Sequence, residues 1–285
     1  MTRPQATLKA MKLSDLRKEI ISRLPDKDGA AYEADAIISH VYGLDKTQIL
    51  SHLFDEIGDA ETVYGILARR TLGEPLEYII GKTVFFGLDL IVTPDCLIPQ
   101  ADTEVVVKCA LDRLVSGSRF LDVGTGSGCI AVALAKSSGC SGVAVDISEK
   151  ALEAAKQNAA INGVREKIRF ALCDIFGELD INEKFDLVVS NPPYVRTRDI
   201  ESLSPEVRRE PITALDGGED GLMFYRRIAA ISPSVLKPGG TLVLEIGYDE
   251  AEDVCAILCE YGFECSVTRD FGGNDRCVTA FAKKK

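Results

Sequence analysis

Phe120-Leu121-Asp122-Val123-Gly124-Thr125-Gly126-Ser127-Gly128-Cys129-Ile130 reads as a buried strand, a glycine turn and the first turn of a helix. The same alternation continues downstream. Apolar runs predict strands over 119–123, 142–146, 168–173, 185–190 and 240–246, and helical spacing predicts helices over 128–137, 149–161, 221–235 and 249–261. The second helix is stopped by Asn162-Gly163 and the third by Pro238-Gly239-Gly240. Strands alternating with helices imply a parallel sheet covered on both faces, a doubly wound α/β fold. The end of the chain breaks the pattern. Runs 265–270 and 276–281 are joined by Phe271-Gly272-Gly273-Asn274-Asp275, too short for a crossover helix, so the last strand runs antiparallel.

Upstream, residues 8–72 carry apolar positions at helical spacing, such as Leu13, Leu16 and Ile20, then Ala34, Ile37 and Ile38, then Val63, Ile66 and Leu67. Breaks at Pro25 to Gly29, Gly43 to Asp45 and Ile57 to Asp59 divide them into a bundle of four or five short helices. Tyr78 to Val92 follows as two β-type runs about a turn near Gly87, a hairpin bridging two domains. The organisation is therefore a helical domain over 1–77, a hairpin linker over 78–95 and the α/β domain over 96–285.

Composition narrows the function classes. The chain has 285 residues, 46% apolar and 27% charged, with a net charge of −11 that leaves both domains acidic. Acidity disfavours a phosphate-gripping partner. The one candidate basic patch, Arg196, Arg198, Arg208 and Arg209, alternates with Asp199, Glu201, Glu206 and Glu210 and reads as a solvated mixed-charge loop. No apolar run is long enough to span a bilayer and the N-terminus carries no signal-peptide core, so no membrane and a cytoplasmic place are expected. Nine cysteines without a Cys-x-x-Cys pair read as reduced thiols, and no metal is expected; a monomer is.

The turn at 124–128 is spaced Gly-x-Gly-x-Gly. A dinucleotide turn would need glycine at Cys129, whereas this shape suits the methionine moiety of S-adenosylmethionine, packing alone being the competing explanation. Gly124, Thr125, Gly126, Ser127 and Gly128 are thus candidate cofactor residues. Asp146, ending the second strand, is placed to accept ribose hydroxyls or to cap the next helix, a role open to Ser148. Asp174 and Ile175, after the third strand, are candidates for the adenine amino group and ring, or form a plain surface turn. Asp122 is placed behind the glycine turn. A doubly wound sheet with a reversed last strand resembles the S-adenosylmethionine-dependent methyltransferases rather than the dehydrogenases.

After the fourth strand stands Asn191-Pro192-Pro193-Tyr194. Two prolines can continue neither ladder nor helix, so the chain leaves the sheet extended and rigid. Such a turn presents an amide, backbone carbonyls and a phenol at the carboxyl end of a strand, which suits a nitrogen-bearing acceptor. Asn191 can serve cofactor and acceptor alike. No His, Lys or Cys stands beside the motif in sequence to act as a base, so the motif points to positioning, with Asn191, Pro192 and Tyr194 as the catalytic set and Pro193 as a further acceptor contact.

These motifs, with Gly73-Glu74-Pro75-Leu76-Glu77-Tyr78, Ile98-Pro99-Gln100-Ala101-Asp102-Thr103-Glu104, Glu210-Pro211, Ala214-Leu215-Asp216-Gly217-Gly218 and Arg269-Asp270-Phe271-Gly272, resemble those of the bacterial release-factor glutamine methyltransferases of the PrmC/HemK type. Gln100-Ala101 departs from that family's Arg-Pro. The resemblance implies methylation of the glutamine amide in the Gly-Gly-Gln motif of class I peptide chain release factors, with S-adenosylmethionine as donor and the helical N-terminal domain recognising the protein substrate. The nearest alternative is a methyltransferase for exocyclic amino groups of adenine or guanine in DNA or rRNA, which share Asn/Asp-Pro-Pro-Tyr/Phe motifs. A non-catalytic module on the same scaffold is the other.

Overall fold

A computed structural model describes residues 11–58, 60–177 and 181–282; residues 8–10 and 59 of the expected helical stretch lie outside these. The chain divides into two compact units between Ile80 and Gly81.

The first unit holds β1 (Met11–Lys12), α1 (Leu13–Arg23), α2 (Ala30–Tyr42), α3 (Lys46–Ser51), β2 (Glu56–Ile57), α4 (Glu61–Thr71) and α5 (Leu76–Ile80). Leu13, Leu16, Ile20, Ile37, Ile38 and Val63, one apolar stripe from each of three helices, close its core. Inside it the Arg70 guanidinium donates to both oxygens of Glu33, each at 2.8 Å, tying α4 to α2. Tyr78, Ile79 and Ile80, read as strand from their apolar run, instead close α5. Pro75 precedes that helix and Gly81, at φ +78°, ends it.

The hairpin therefore starts later than expected, as β3 (Lys82–Phe85) and β4 (Leu88–Ile91), and is part of the second unit. Both turn residues, Phe86 and Gly87, have positive φ (51° and 73°), the conformation that matches strand twist. The Phe86 N–H donates to Glu104 at 3.0 Å. Phe85 and Leu90 bury their side chains in the α/β core.

The rest of the second unit runs α6 (Thr103–Leu111), β5 (Arg119–Val123), α7 (Cys129–Ser138), β6 (Ser141–Asp146), α8 (Glu149–Ile161), β7 (Ile168–Leu172), β8 (Phe185–Ser190), α9 (Met223–Val235), β9 (Leu236–Glu245), α10 (Ala251–Glu260), β10 (Phe263–Arg269) and β11 (Asp275–Ala282). Seven strands form one sheet in the order β7-β6-β5-β8-β9-β11-β10. β5 pairs parallel with β6 and β8, and β11 alone is reversed, antiparallel to both β9 and β10. Alternate residues serve opposite faces: Phe120, Ala144, Leu187 and Val243 pack with α6, α7 and α8, while Leu121, Val143, Val188 and Leu242 pack with α9 and α10.

Two features escaped sequence reasoning. α6 is rich in β-branched residues, and its Val105, Val106 and Val107 become helical because all three are buried there. β9 begins at Leu236, before Pro238-Gly239-Gly240, which forms a bulge rather than a helix stop. Phe185 pairs with Leu236, yet Leu187 pairs with Thr241.

Candidate active site

Parallel register brings the carboxyl ends of the central strands to one edge. Val123 pairs with Ser190, and Ser190 with Leu244, so Gly124 and Asn191 leave the sheet side by side, next to Glu245 at the end of β9. The Ser190 hydroxyl donates to the Val123 carbonyl at 2.6 Å and locks the two strand ends together. β5 is where the strand order reverses, and β6 and β8 flank it, the place where open α/β sheets bind ligands.

On one side lies the glycine turn. Gly124 and Gly126 have φ of 69° and 55°, and nothing stands within 4 Å of where their Cβ atoms would be, so bare backbone faces open space. Asp146 accepts from Gly126 N–H at 2.8 Å and from Ser148 N–H at 2.9 Å, and Ser148 itself caps α8. Burial raises the Asp146 carboxyl above its ordinary range. Beneath the turn, fully buried Asp122 accepts from the Thr125 hydroxyl at 2.6 Å and from Ala131 N–H at 3.2 Å, and its other oxygen has no partner. Desolvation pushes this carboxyl up to about 7. Asn158, buried on α8, donates to the carbonyls of Ser127 and Ile91 and accepts from Ile91 N–H, joining the turn to β4. It was not singled out from the sequence; its polarity on the apolar face of a helix was the available signal.

On the other side, Asn191 to Tyr194 is held by neighbours distant in sequence. The Val195 N–H donates to Leu215, Gly217 N–H to Val195, and Thr197 N–H to Gly218. Gly221, at φ +82°, passes so close that a Cβ there would lie 2.6 Å from the Tyr194 carbonyl. The Asn191 amide nitrogen donates to the Thr103 hydroxyl at 3.2 Å, where it was expected to serve the cofactor. Tyr194 turns back into the core, and burial raises the pKa of its phenol.

Between the turns lies a cavity of about 360 Å³. It brings together Gly124, Thr125, Gly126, Ser127, Asp146, Asp174, Ile175, Asn191, Pro192 and Pro193. Gly128 and Tyr194 are not among its lining residues. Gly128 lies against α8, where a Cβ would be 2.8 Å from that of Ala155, so packing accounts for this glycine. Tyr194 is drawn into the core below α9. Sequence reasoning missed Ile147, Phe176 and Phe224, the last two in an edge-to-face pair with centroids 5.2 Å apart. It also missed that Cys96, Cys129 and Cys173 reach the cavity from separate elements. Burial raises the pKa of all three, so they stand as thiols and not as bases. Among the described residues no group of three or more His, Cys, Asp or Glu could hold a metal ion. A nucleoside fits this lining: glycine backbone without side chains, a carboxylate at the end of β6, and apolar walls from Ile147, Ile175 and Phe176.

Residues 15–81 match the PrmC N-terminal domain family and residues 114–272 a methyltransferase domain family. The release factor glutamine methyltransferase of Geobacter sulfurreducens is 43% identical over 88% of this chain and 89% of its own. That of Agrobacterium fabrum is 40% identical, covering 87% and 89%. A methyltransferase from Pyrococcus furiosus, 21% identical, superposes with a TM-score of 0.53 over 70% of this chain and 90% of its own, a likeness of fold alone. The glycine turn, the Asn-Pro-Pro-Tyr turn and both matched domains lead to one conclusion: the chain belongs to the release factor glutamine methyltransferase family.

Proposed function

We propose that the chain methylates the side-chain amide nitrogen of the glutamine in the Gly-Gly-Gln motif of class I peptide chain release factors, with S-adenosylmethionine as methyl donor. The observation that carries this reading is the Asn191-Pro192 turn, held rigid one strand away from the glycine turn on a shared cavity. When bound, S-adenosylmethionine supplies an electrophilic methyl group on a sulfonium centre. Gly124, Thr125, Gly126 and Ser127 would hold its methionine end, Asp146 its ribose, and Asp174, Ile175 and Phe176 its adenine.

An amide nitrogen is a poor nucleophile, because its lone pair is shared with the carbonyl. With no ionised thiol among the lining cysteines, positioning carries the catalysis. The Asn191 oxygen and the Pro192 carbonyl accept the two N–H groups of the substrate amide. They stabilise positive charge as it develops on nitrogen. Pro193 packs beside them, and Tyr194 anchors the turn from behind by packing into the core.

The helical domain ending at residue 77 recognises the protein substrate in this reading, and the chain works as a cytoplasmic monomer without nucleic acid. The arginines offer little to phosphate: Arg196 pairs with Asp249 at 3.0 Å, and Arg198 faces Asp199. No helix among the described residues is long and apolar enough to cross a membrane. The deciding experiment presents purified release factor and total RNA separately, with methyl-labelled S-adenosylmethionine, and locates the label by mass. Label on the glutamine of Gly-Gly-Gln is expected; label in RNA alone would overturn the reading.

A further inference from the structure

The cavity wall assigned above to the adenine is a short turn, and it is held from outside. Asp174-Ile175-Phe176-Gly177 follows β7, and the Gly177 N–H donates to the Asp174 carbonyl at 3.0 Å, closing a β-turn with aspartate first and glycine last. The Asp174 carboxylate also accepts from the Phe176 N–H at 2.9 Å. These bonds use neither the Ile175 nor the Gly177 carbonyl. Ile175 is buried, while Phe176 is 46% exposed and lines the cavity.

Helix α9 supplies what the turn lacks. Arg227 donates from Nε to the Ile175 carbonyl and from a terminal nitrogen to the Gly177 carbonyl, the second at 2.9 Å. The two carbonyls bracket Phe176, so one planar guanidinium fixes the backbone on both sides of that ring. Phe224 stands three residues before Arg227 on the same helix and sets its ring edge-to-face on Phe176, with the planes at 76°. Fork and ring thus hold one side chain from one helix. Neighbouring Arg226 pairs with Asp220 at 2.6 Å, whereas Arg227 spends these donors on neutral carbonyls.

We propose that Arg227 is a positioning residue for cofactor binding, clamping the 174–177 turn so that Phe176 is preset as a wall of the cofactor pocket. The proposal rests on the reading that this turn receives the adenine of S-adenosylmethionine. A ring carried on a loose turn must be ordered when the ligand arrives, and that ordering costs affinity. A ring already fixed escapes the cost. Lysine cannot replace the arginine in full, because its ammonium is a point donor on a flexible stem.

The test measures S-adenosylmethionine affinity by calorimetry for the full-length parent, Arg227→Met, Arg227→Lys, Phe176→Ala and the double variant of Arg227→Met with Phe176→Ala. Calorimetry needs no acceptor, so the clamp is judged apart from the identity of the methylated substrate. Arg227→Met keeps the apolar stem and removes every donor, and its Kd should rise about 10-fold. Arg227→Lys should return to within about 3-fold of the parent, since one carbonyl stays in reach. Phe176→Ala should also weaken binding about 10-fold, and the double variant should stay near the worse single one and well short of the roughly 100-fold of independent losses. On intact release factor the cofactor KM of Arg227→Met should rise with its Kd, while kcat at saturating cofactor holds within about 3-fold. All affinities are read at a temperature where melting without cofactor shows every variant folded, so a general loss of stability cannot imitate the coupling. Parent affinity in Arg227→Met, or multiplied losses in the double variant, would overturn the clamp while leaving the adenine wall in place. Parent affinity in Phe176→Ala would instead remove the wall itself, and the clamp with it.

Discussion

The two turns that face each other across the cavity are built in opposite ways. The glycine turn is supported mostly from within its own βαβ unit: Asp122 lies two residues before it, Asp146 ends the next strand, and Asn158 follows on α8. The Asn-Pro-Pro-Tyr turn takes its support from far along the chain, from Thr103 before it and from Leu215, Gly217 and Gly221 after it. A cofactor with a fixed shape can be met by a short, self-contained motif. An acceptor amide on another protein must be aimed, and aiming requires a turn clamped from several sides.

If the division of labour is real, damage to each side should separate cleanly. The largest effect is expected for Asn191→Ala. Removing an acceptor that acts on developing charge should lower kcat about 100-fold or more. Cofactor affinity should stay within about 3-fold, because the amide's other contact is Thr103 and not the glycine turn. Single-turnover rates and calorimetry on the same preparation check both halves. Comparable loss of cofactor binding would merge the two turns into one site.

Asp146→Asn is the mirror experiment, with a smaller effect. Its carboxylate already takes two backbone N–H groups, and ionised oxygen is also what ribose hydroxyls would seek. Loss of that charge should weaken cofactor binding about 10-fold, roughly 1.4 kcal/mol. The rate at saturating cofactor should hold within about 3-fold. A variant that binds cofactor normally but turns over slowly would place Asp146 on the acceptor side and break the comparison.

The same contrast explains what could be seen in the sequence. The sheet, its reversed last strand and the glycine turn were legible because each depends on local period, loop length or glycine spacing. Asn191 and its prolines were legible as a rigid amide-bearing turn. What held them was not. Glu245 is the last apolar-strand position of β9, and nothing in Leu242-Val243-Leu244-Glu245 says that its side chain is buried. Thr103 opens a helix whose valines masked it. Tyr194, expected among the catalytic residues, is drawn inward because its ring packs against the core cluster below α9. Gly128, which belongs to the motif by spacing, serves the packing of α7 on α8.

Beneath the difference the turns share one device, a buried carboxylic acid, and this makes a third and smallest effect measurable. Asp122 under the glycine turn and Glu245 under the acceptor turn are both pushed up to about 7, chiefly by desolvation. A folded-state pKa raised from 3.8 means that the folded protein holds a proton which the unfolded chain has lost between those values. Asp122 therefore contributes stability fully below about pH 4, and loses it progressively as pH rises toward about 7, with a slope of at most about 1.4 kcal/mol per pH unit. Asp122→Asn keeps an oxygen for the Thr125 hydroxyl and the Ala131 N–H but cannot titrate. Melted without cofactor, the variant should gain on the parent by a few degrees between pH 5 and pH 8. Part of the parent's slope should survive in it, since Glu245 still titrates. A difference between variant and parent that stays flat across that range would mean that Asp122 is already ionised at pH 5. The glycine turn would then rest on a charge, and only the acceptor turn on a protonatable acid.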